Sequence, residues 1–381
     1  MDFASSAAHQ PFIDLVRAFA RDRVSPRAAE IDATAIYPRD LVAEAAAIGL
    51  MGVTIPKAYG GLGLDYVTYA AALEEVSSAS ATLAVILSVN NSLVAETIQQ
   101  FGTDLQRDTW LARLATGRAT GAFALSEEGA GSDAANQQTS ARLDDRGYVL
   151  NGRKVWVANG EVADIAIVFA VTQPGARGRG ISAFLVPLET PGVTRTASPD
   201  SLGVRGLGCV NLTLTDVRVD AGALLGESGR GFRVAMRALE GGRVAIAAQA
   251  LGVGQAALDE ALRYSRTREA FGQPIGNFQA IQFVLSDLAT ELEAARMLTW
   301  KAADARDRQP RATCEAAMAK LLASEAAHRA ADRAMQILAS EGYRRGSMVE
   351  RLFRDARATE IYQGTSEVQR MIIAETILKG A

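Results

Sequence analysis

The stretch YVLNGRKVWVAN (148–159), followed by ADIAIVFAV (163–171), GISAFLVPL (180–188) and VNLTLTDVRV (210–219), decides the fold. β-Branched and aromatic residues bounded by turn formers mark these segments as strands. Within the first, Asn151-Gly152 has the composition of a two-residue hairpin turn. On both sides of this region the apolar period is helical. PFIDLVRAFARDRV (11–24) and DLVAEAAAIGL (40–50) space apolar residues three and four apart, and IPKAYGGLGL (55–64) interrupts the pattern with glycines and a proline. After Gly231 the helical period returns in long segments rich in Ala, Leu and Glu, with one break near Phe271 to Gly276. Helices, a compact β unit and helices again describe an α+β chain, not a βαβ alternation. The expected divisions are a helical domain over 1–120, a β domain over 121–225 and a helical bundle over 226–381.

The composition narrows the function. At 381 residues, 49% hydrophobic and 22% charged, the chain can bury a large interior. A net charge of -3 gives no general drive toward nucleic acid or anionic lipid, and neither is expected as a partner. Cys209 and Cys314 are too few for a disulfide framework, and with only His9 and His328 no metal site is expected. The opening MDFASSAAHQ has neither a secretory nor a transit pattern, so a cytoplasmic or already processed protein is expected, with a bacterial cytoplasm as the expected location. Val76 to Ala95 carries no charge, yet its serines and asparagines predict a buried helix and no membrane insertion.

Two stretches imitate a dinucleotide fingerprint: Gly129, Gly131 and Ala134, and Gly252, Gly254 and Ala257. Neither sits between a strand and a crossover helix, so both read as chance matches and no nicotinamide cofactor is inferred. Without a hydrolase elbow, a phosphate loop or paired histidines, difficult chemistry calls for a bound organic cofactor.

AFALSEEGAGSD (122–133), KVWVANG (154–160), GISAFLVP (180–187), REAFGQPI (268–275), MAKLLASEAA (318–327) and RDARATEIYQGTSEVQR (354–370) resemble segments of the acyl-CoA dehydrogenase family, in family order over essentially the whole chain. SVNNSL, LTWKAA and the Gly-Gly-Arg at 241–243 resemble its short-chain, butyryl-type branch. The resemblance implies an N-terminal helical domain, a middle β-barrel domain and a C-terminal four-helix bundle. It also implies a homotetramer with FAD at subunit contacts, and electron-transfer flavoprotein as partner. The reaction implied is α,β-dehydrogenation of a short-chain acyl thioester, on CoA or a carrier protein, to the trans-2-enoyl product.

By the same resemblance, Phe123, Leu125, Ser126, Gly131 and Ser132 lie along the flavin, with Trp156 and Ala158 beside its ring. Read from the strand alone, without the flanking motif, Trp156 is more readily a core aromatic. Arg268, Phe271 and Gln279 of one subunit, and Gln336, Ala339 and Ser340 of a neighbour, would meet the cofactor's diphosphate region, and Thr365, Ser366 and Glu367 follow in its contact segment. An arginine on a helix is otherwise a solvated face. Ser132, Glu240, Arg243, Tyr362 and Gly364 fall where the family holds acyl-CoA, and the backbone N–H of residue 363 would donate to the thioester oxygen.

The family's base is a glutamate in IYEGT, whereas this chain reads Ile361-Tyr362-Gln363-Gly364-Thr365. A neutral amide takes up no α-proton, and a loss of roughly 10² to 10⁴ in the chemical step is expected. The alternative base position of another branch is Gly242, which has no side chain. Ala158 stands for a threonine that bonds the ring, and Ala339 for a glycine, a change that an ordinary backbone angle would accommodate. Three accounts fit Gln363: an introduced isostere, a flavoenzyme of base-independent chemistry such as rearrangement, cyclisation or reduction, or a non-catalytic acyl-CoA-binding scaffold.

Overall fold

The computed structural model describes residues 9–309 and 311–379. The N-terminal part folds into α1 (Gln10–Phe19), α2 (Ala28–Thr34), α3 (Arg39–Ala47), α4 (Tyr66–Ala79), α5 (Ala81–Ser88), α6 (Glu96–Phe101) and α7 (Asp104–Ala115). The uncharged run from Val76 is not one helix. Ser80 adopts extended backbone and its hydroxyl caps α5 by accepting from Leu83 N at 3.3 Å, so the run splits there. Ala81–Phe101 is long and apolar enough to cross a membrane, but 94% of its apolar window is buried inside this protein. Its buried asparagine is satisfied: Asn90 donates to Met51 O and Leu114 O, both at 3.1 Å, and accepts from Gly121 N at 3.0 Å.

The middle part holds β1 (Gly121–Ala124), β2 (Ser140–Asp144), β3 (Gly147–Val157), β4 (Ile165–Val171), β5 (Ile181–Pro187), β6 (Val193–Ala197), β7 (Val210–Val219) and β8 (Leu224–Leu225). They form one sheet in the order β6-β7-β3-β2-β4-β5-β8, with β1 parallel to β4. Residues of β3, β4, β5 and β7 share one inner core, so the sheet curls around it, while β6 and β8 at its ends leave the barrel open. Strand β4 is buried on both faces. Ala166, Val168 and Ala170 face the barrel interior, and Ile165, Ile167 and Phe169 face the helices.

Asn151-Gly152 is not a hairpin turn, contrary to the sequence pattern. It lies inside β3, where the register against β7 shifts between Leu150 and Gly152 as a bulge. Thr139 of the neighbouring segment comes so close that a Cβ at Gly152 would lie 2.6 Å from its Cα, which is the demand that glycine answers. The turn is made instead between β2 and β3, where the Asp144 carboxylate accepts from Arg146 N at 3.0 Å.

The C-terminal part begins with α8 (Gly231–Thr267), 37 residues long, then the short hairpin β9 (Glu269–Ala270) and β10 (Gln273–Pro274). It continues through α9 (Gln279–Arg308), α10 (Thr313–Leu338), α11 (Ser340–Tyr343), α12 (Met348–Thr359) and α13 (Ser366–Leu378). The anticipated break near Phe271 is the β9–β10 hairpin. The helical region is interrupted further, before α10, at Ala339 and around Gly364, where turn backbone overrides a helical composition. Gly252 and Gly254 are packing glycines of α8: a Cβ at the first would lie 2.7 Å from Ser77 Cβ, and at the second 2.6 Å from Leu292 Cδ2. Helix α8 thereby joins the N-terminal helices, α9 and α10 in one core.

Ala339 has φ 52° and ψ -127°, so the condition under which alanine would be accommodated there is not met. Glycine adopts this conformation freely and alanine does not. Ala339→Gly is expected to stabilise the fold by about 1–3 kcal/mol, read as a higher urea midpoint at unchanged slope; an unchanged or lower midpoint contradicts the strain.

Candidate active site

The turn between α12 and α13 is the focus. Thr365 caps α13 by accepting from Val368 N at 3.4 Å, and Gln363 (φ 54°) and Gly364 (φ 98°) reverse the chain just before it. The Gly364 carbonyl accepts from Lys320 Nζ at 2.9 Å and from Gln369 Nε2 at 2.8 Å. The Gln363 side chain is thrown onto α8 at Gly242, where any Cβ would overlap its Oε1 and lie 2.8 Å from Leu93 Cδ2. Gln363 Oε1, Gln369 Oε1 and Ser366 Oγ are buried without a hydrogen-bond partner, a concentration that marks a ligand-facing surface.

Helix α8 brings the other substrate candidates to this turn. Arg243 is buried, its Nε has no partner, and burial pulls its guanidinium down to about 10 against a smaller opposing pull from Glu240. The Tyr362 hydroxyl donates to Gln249 Oε1 at 2.5 Å, and burial raises its pKa. Glu240 is engaged within the protein: its carboxylate accepts from Arg237 and from the Thr313 hydroxyl, with Arg306 at 3.6 Å. Arg306 also pairs with Glu96 at 3.3 Å, and Glu96 accepts from the Tyr66 hydroxyl.

The β side supplies the opposite wall. Phe123 packs on Phe169 with ring centroids 5.0 Å apart, and Phe123, Leu125, Ala158, Leu93 and Tyr362 belong to one apolar cluster that joins the sheet to the turn. A buried cation fixes this wall. Lys154 Nζ donates to Leu125 O at 3.1 Å, Glu127 Oε1 at 2.8 Å and Gln137 Oε1 at 3.0 Å. Burial draws Lys154 down to about 8; burial would likewise raise Glu127, but the adjacent ammonium outweighs it and holds that carboxyl below the usual range. Ser126 O accepts from Val155 N at 2.9 Å, so the segment is tied to β3 on both sides of its polar residues. Trp156, at φ 55° and 52% exposed, stands out of the strand into solvent, which removes the core alternative for it.

Other candidates are not drawn into this pocket. Gly131 and Ser132 lie on an exposed loop whose next residue, Asp133, pairs with Arg177 at 3.1 Å. Arg268, Gln279, Gln336, Ala339 and Ser340 are exposed, and Phe271 is 96% exposed with Phe278 as its ring neighbour at 6.1 Å. Thr365, Ser366 and Glu367 line a second concavity of about 330 Å³ with His328, Arg357 and Arg370. Sequence reasoning missed Lys320, whose only signal was a lysine in an otherwise apolar run, and Lys154, which follows Arg153 and carries no such signal. It also missed a concavity of about 460 Å³ walled by Arg177, Arg179, Arg230, Arg233 and Phe232. Those arginines come from two segments some fifty residues apart, and only folding assembles them.

Comparison with known proteins adds to this geometry. Residues 6–118, 122–217 and 229–378 match the N-terminal, middle and C-terminal domains of acyl-CoA dehydrogenase. The mitochondrial short-chain specific acyl-CoA dehydrogenase of Bos taurus is 47% identical over 371 residues, 97% of this chain and 90% of that protein. The structure of butyryl-CoA dehydrogenase from Megasphaera elsdenii superimposes with a TM-score of 0.97 at 41% identity, covering 99% of this chain and 100% of that one. A prolyl acyl carrier protein oxidase is also similar, with a TM-score of 0.95 at 32% identity over 98% of this chain and 100% of its own.

Lys154→Met leaves Glu127 buried and unpaired, and a loss of about 3–5 kcal/mol is expected by chemical denaturation. Adding Glu127→Gln is expected to recover part of that loss. A single variant as stable as the parent contradicts the role given to the pair.

Proposed function

The chain belongs to the acyl-CoA dehydrogenase family, and from that premise we propose that it is an FAD-dependent enzyme of short-chain acyl-CoA α,β-dehydrogenation whose proton-abstraction step is impaired by Gln363. The reading is supported by the matches along all three parts of the chain and by the short-chain relatives. The observation that carries the finer claim is the Gln363 amide lying on Gly242 with its oxygen buried and unpartnered.

The residues present fit a flavin. Phe123, Leu125 and Ala158 make an apolar wall with Trp156 and Ser126 as near neighbours in the chain, and the turn holds the buried, unpartnered Ser366 hydroxyl. An aromatic tricycle with a hydrogen-bonding rim takes such a donor set. When bound, the flavin supplies the hydride acceptor that the side chains lack.

This chain's own residues orient the thioester and handle its proton. The N–H of Gln363, in its left-handed turn, is the donor to the thioester oxygen, and buried Arg243 adds positive charge nearby. The proton acceptor is deficient: Gln363 is neutral, Gly242 has no side chain, and Glu240 and Glu96 are already bonded to arginines. Binding is retained while the α-proton leaves slowly.

We also assign the carrier to CoA. Helix α8 runs from Gly242 back to Gly231, about 16 Å at its rise of about 1.5 Å per residue, a span suited to an extended pantetheine arm. At that end the four arginines and Phe232 offer charge and an aromatic face to a phosphorylated nucleotide. The exposed Phe271, Phe283, Tyr343 and Met371 are surfaces for further copies, in keeping with a homotetramer that hands electrons to electron-transfer flavoprotein in the cytoplasm.

The purified protein is expected to be yellow, with butyryl-CoA shifting its flavin spectrum but bleaching it slowly. Gln363→Glu is expected to speed anaerobic bleaching by at least roughly 10²-fold; no acceleration with any short-chain thioester would overturn the reading. Replacing Arg177 and Arg230 together by alanine is expected to weaken butyryl-CoA at least tenfold and the nucleotide-free N-acetylcysteamine thioester hardly at all. Equal losses with both would remove the carrier assignment.

A further inference from the structure

Lys320 is the one feature of this turn that the functional reading leaves without a task. It is fully buried on α10, and its hydrogen bond goes to a neutral acceptor, the Gly364 carbonyl at 2.9 Å. Among the described residues no carboxylate lies within 4.0 Å of its ammonium. The charged groups that bear on it come from three helices: Arg243 of α8 opposes its charge, while Glu325 of α10 and Glu367 of α13 favour it from a distance. Glu325 is itself paired with Arg370 at 2.6 Å. Burial first, and Arg243 second, bring the lysine down to about 7.

Such a residue is costly for packing alone. Methionine would fill the same volume without desolvating an ammonium, and Gln369 Nε2 already holds the same carbonyl at 2.8 Å. A second, charged donor is therefore redundant as a clamp. Its charge is not redundant once negative charge forms on a thioester oxygen at residue 363, one peptide away. No carboxylate in contact with the lysine cancels that charge, and Arg243 adds to it.

We propose that Lys320 is a positioning residue that makes this site selective for the anionic form of a bound thioester: it holds the Gly364 carbonyl and takes up a proton when the enolate forms. The inference rests on the acyl-CoA reading of the site. The proton balance is simple. The α-carbon of a 3-oxoacyl thioester loses one proton on becoming the enolate, and neutral Lys320 gains one, so the complex carries a paired enolate and ammonium.

The sign of the pH effect follows. Below the lysine's range it is already protonated in the free protein and enolate binding releases a proton to solvent. Above that range the released proton is kept by Lys320 instead.

The test uses the flavin-loaded protein with acetoacetyl-CoA, which binds as an enolate, and crotonyl-CoA, which cannot. Lys320→Met is expected to weaken acetoacetyl-CoA at least tenfold at pH 6.5 while changing crotonyl-CoA less than threefold, and this selective loss is expected to shrink above pH 8. Gln369→Leu, which removes the uncharged donor to the same carbonyl, is expected to weaken both ligands alike. If Lys320→Met fails to fold, the unaltered protein decides: at pH 8, in weak buffer with an indicator dye, acetoacetyl-CoA is expected to bind without net proton release. Release of about one proton per ligand, or equal loss of both ligands in Lys320→Met, overturns the proposal. A flavin-loaded protein that binds neither thioester overturns the functional reading itself, an outcome separate from these.

Discussion

Helix α8 is approached by its neighbours to backbone contact, and this closeness sets the rest of the architecture. At Gly241 a Cβ would overlap the Tyr66 hydroxyl, at Gly242 the Gln363 amide, at Gly252 the backbone of α4 and at Gly254 the side chain of Leu292. Overpacking a core costs about 1–3 kcal/mol per site, so four glycines on one helix are a specification, not a coincidence. The same helix lies in two hydrophobic cores, one among the helices and one against β4 and β5. Whatever α8 touches is thereby held in register with both, including the turn that carries Gln363.

Two buried lysines show how differently one side chain can be used. Lys154 is matched by a carboxylate and two neutral acceptors, and it ties the Leu125–Glu127 segment to β3. Lys320 has a carbonyl and no contacting counter-charge. A satisfied ion pair fixes shape, whereas a lone cation keeps the capacity to respond to an incoming anion. One is the scaffold of the site and the other belongs to its electrostatics.

The alternation from helix to strand to helix was legible, because β-branched runs such as Ile165–Val171 and Ala-rich stretches such as those of α10 differ in period and composition. Turns were less so. Asn151-Gly152 has the local chemistry of a hairpin, and only the approach of Thr139 makes it a bulge instead. Likewise Ala339 gives no sign in sequence that its backbone is left-handed, since the chain around it imposes the angle. In the site, Gln363, Gly242, Arg243 and Tyr362 could be named from motifs that are contiguous in sequence. The arginine concavity could not, because charge assembled from Arg177, Arg179, Arg230 and Arg233 has no signature in one dimension.

The large helical core has a consequence for how the chain is made. Ile13, Val16, Leu41, Leu73 and Leu87 share one core with Val244, Leu292, Ala327 and Ala356, and Asp32 is bonded bidentately by Arg354, 322 residues later. On the ribosome, therefore, the first hundred residues emerge with one face bare. At about 5–20 residues per second they wait on the order of 15–50 s for their covering helices. During that interval the nascent helices hold exposed leucines and valines that the helices from α8 onward conceal, which makes them natural clients for a holding chaperone.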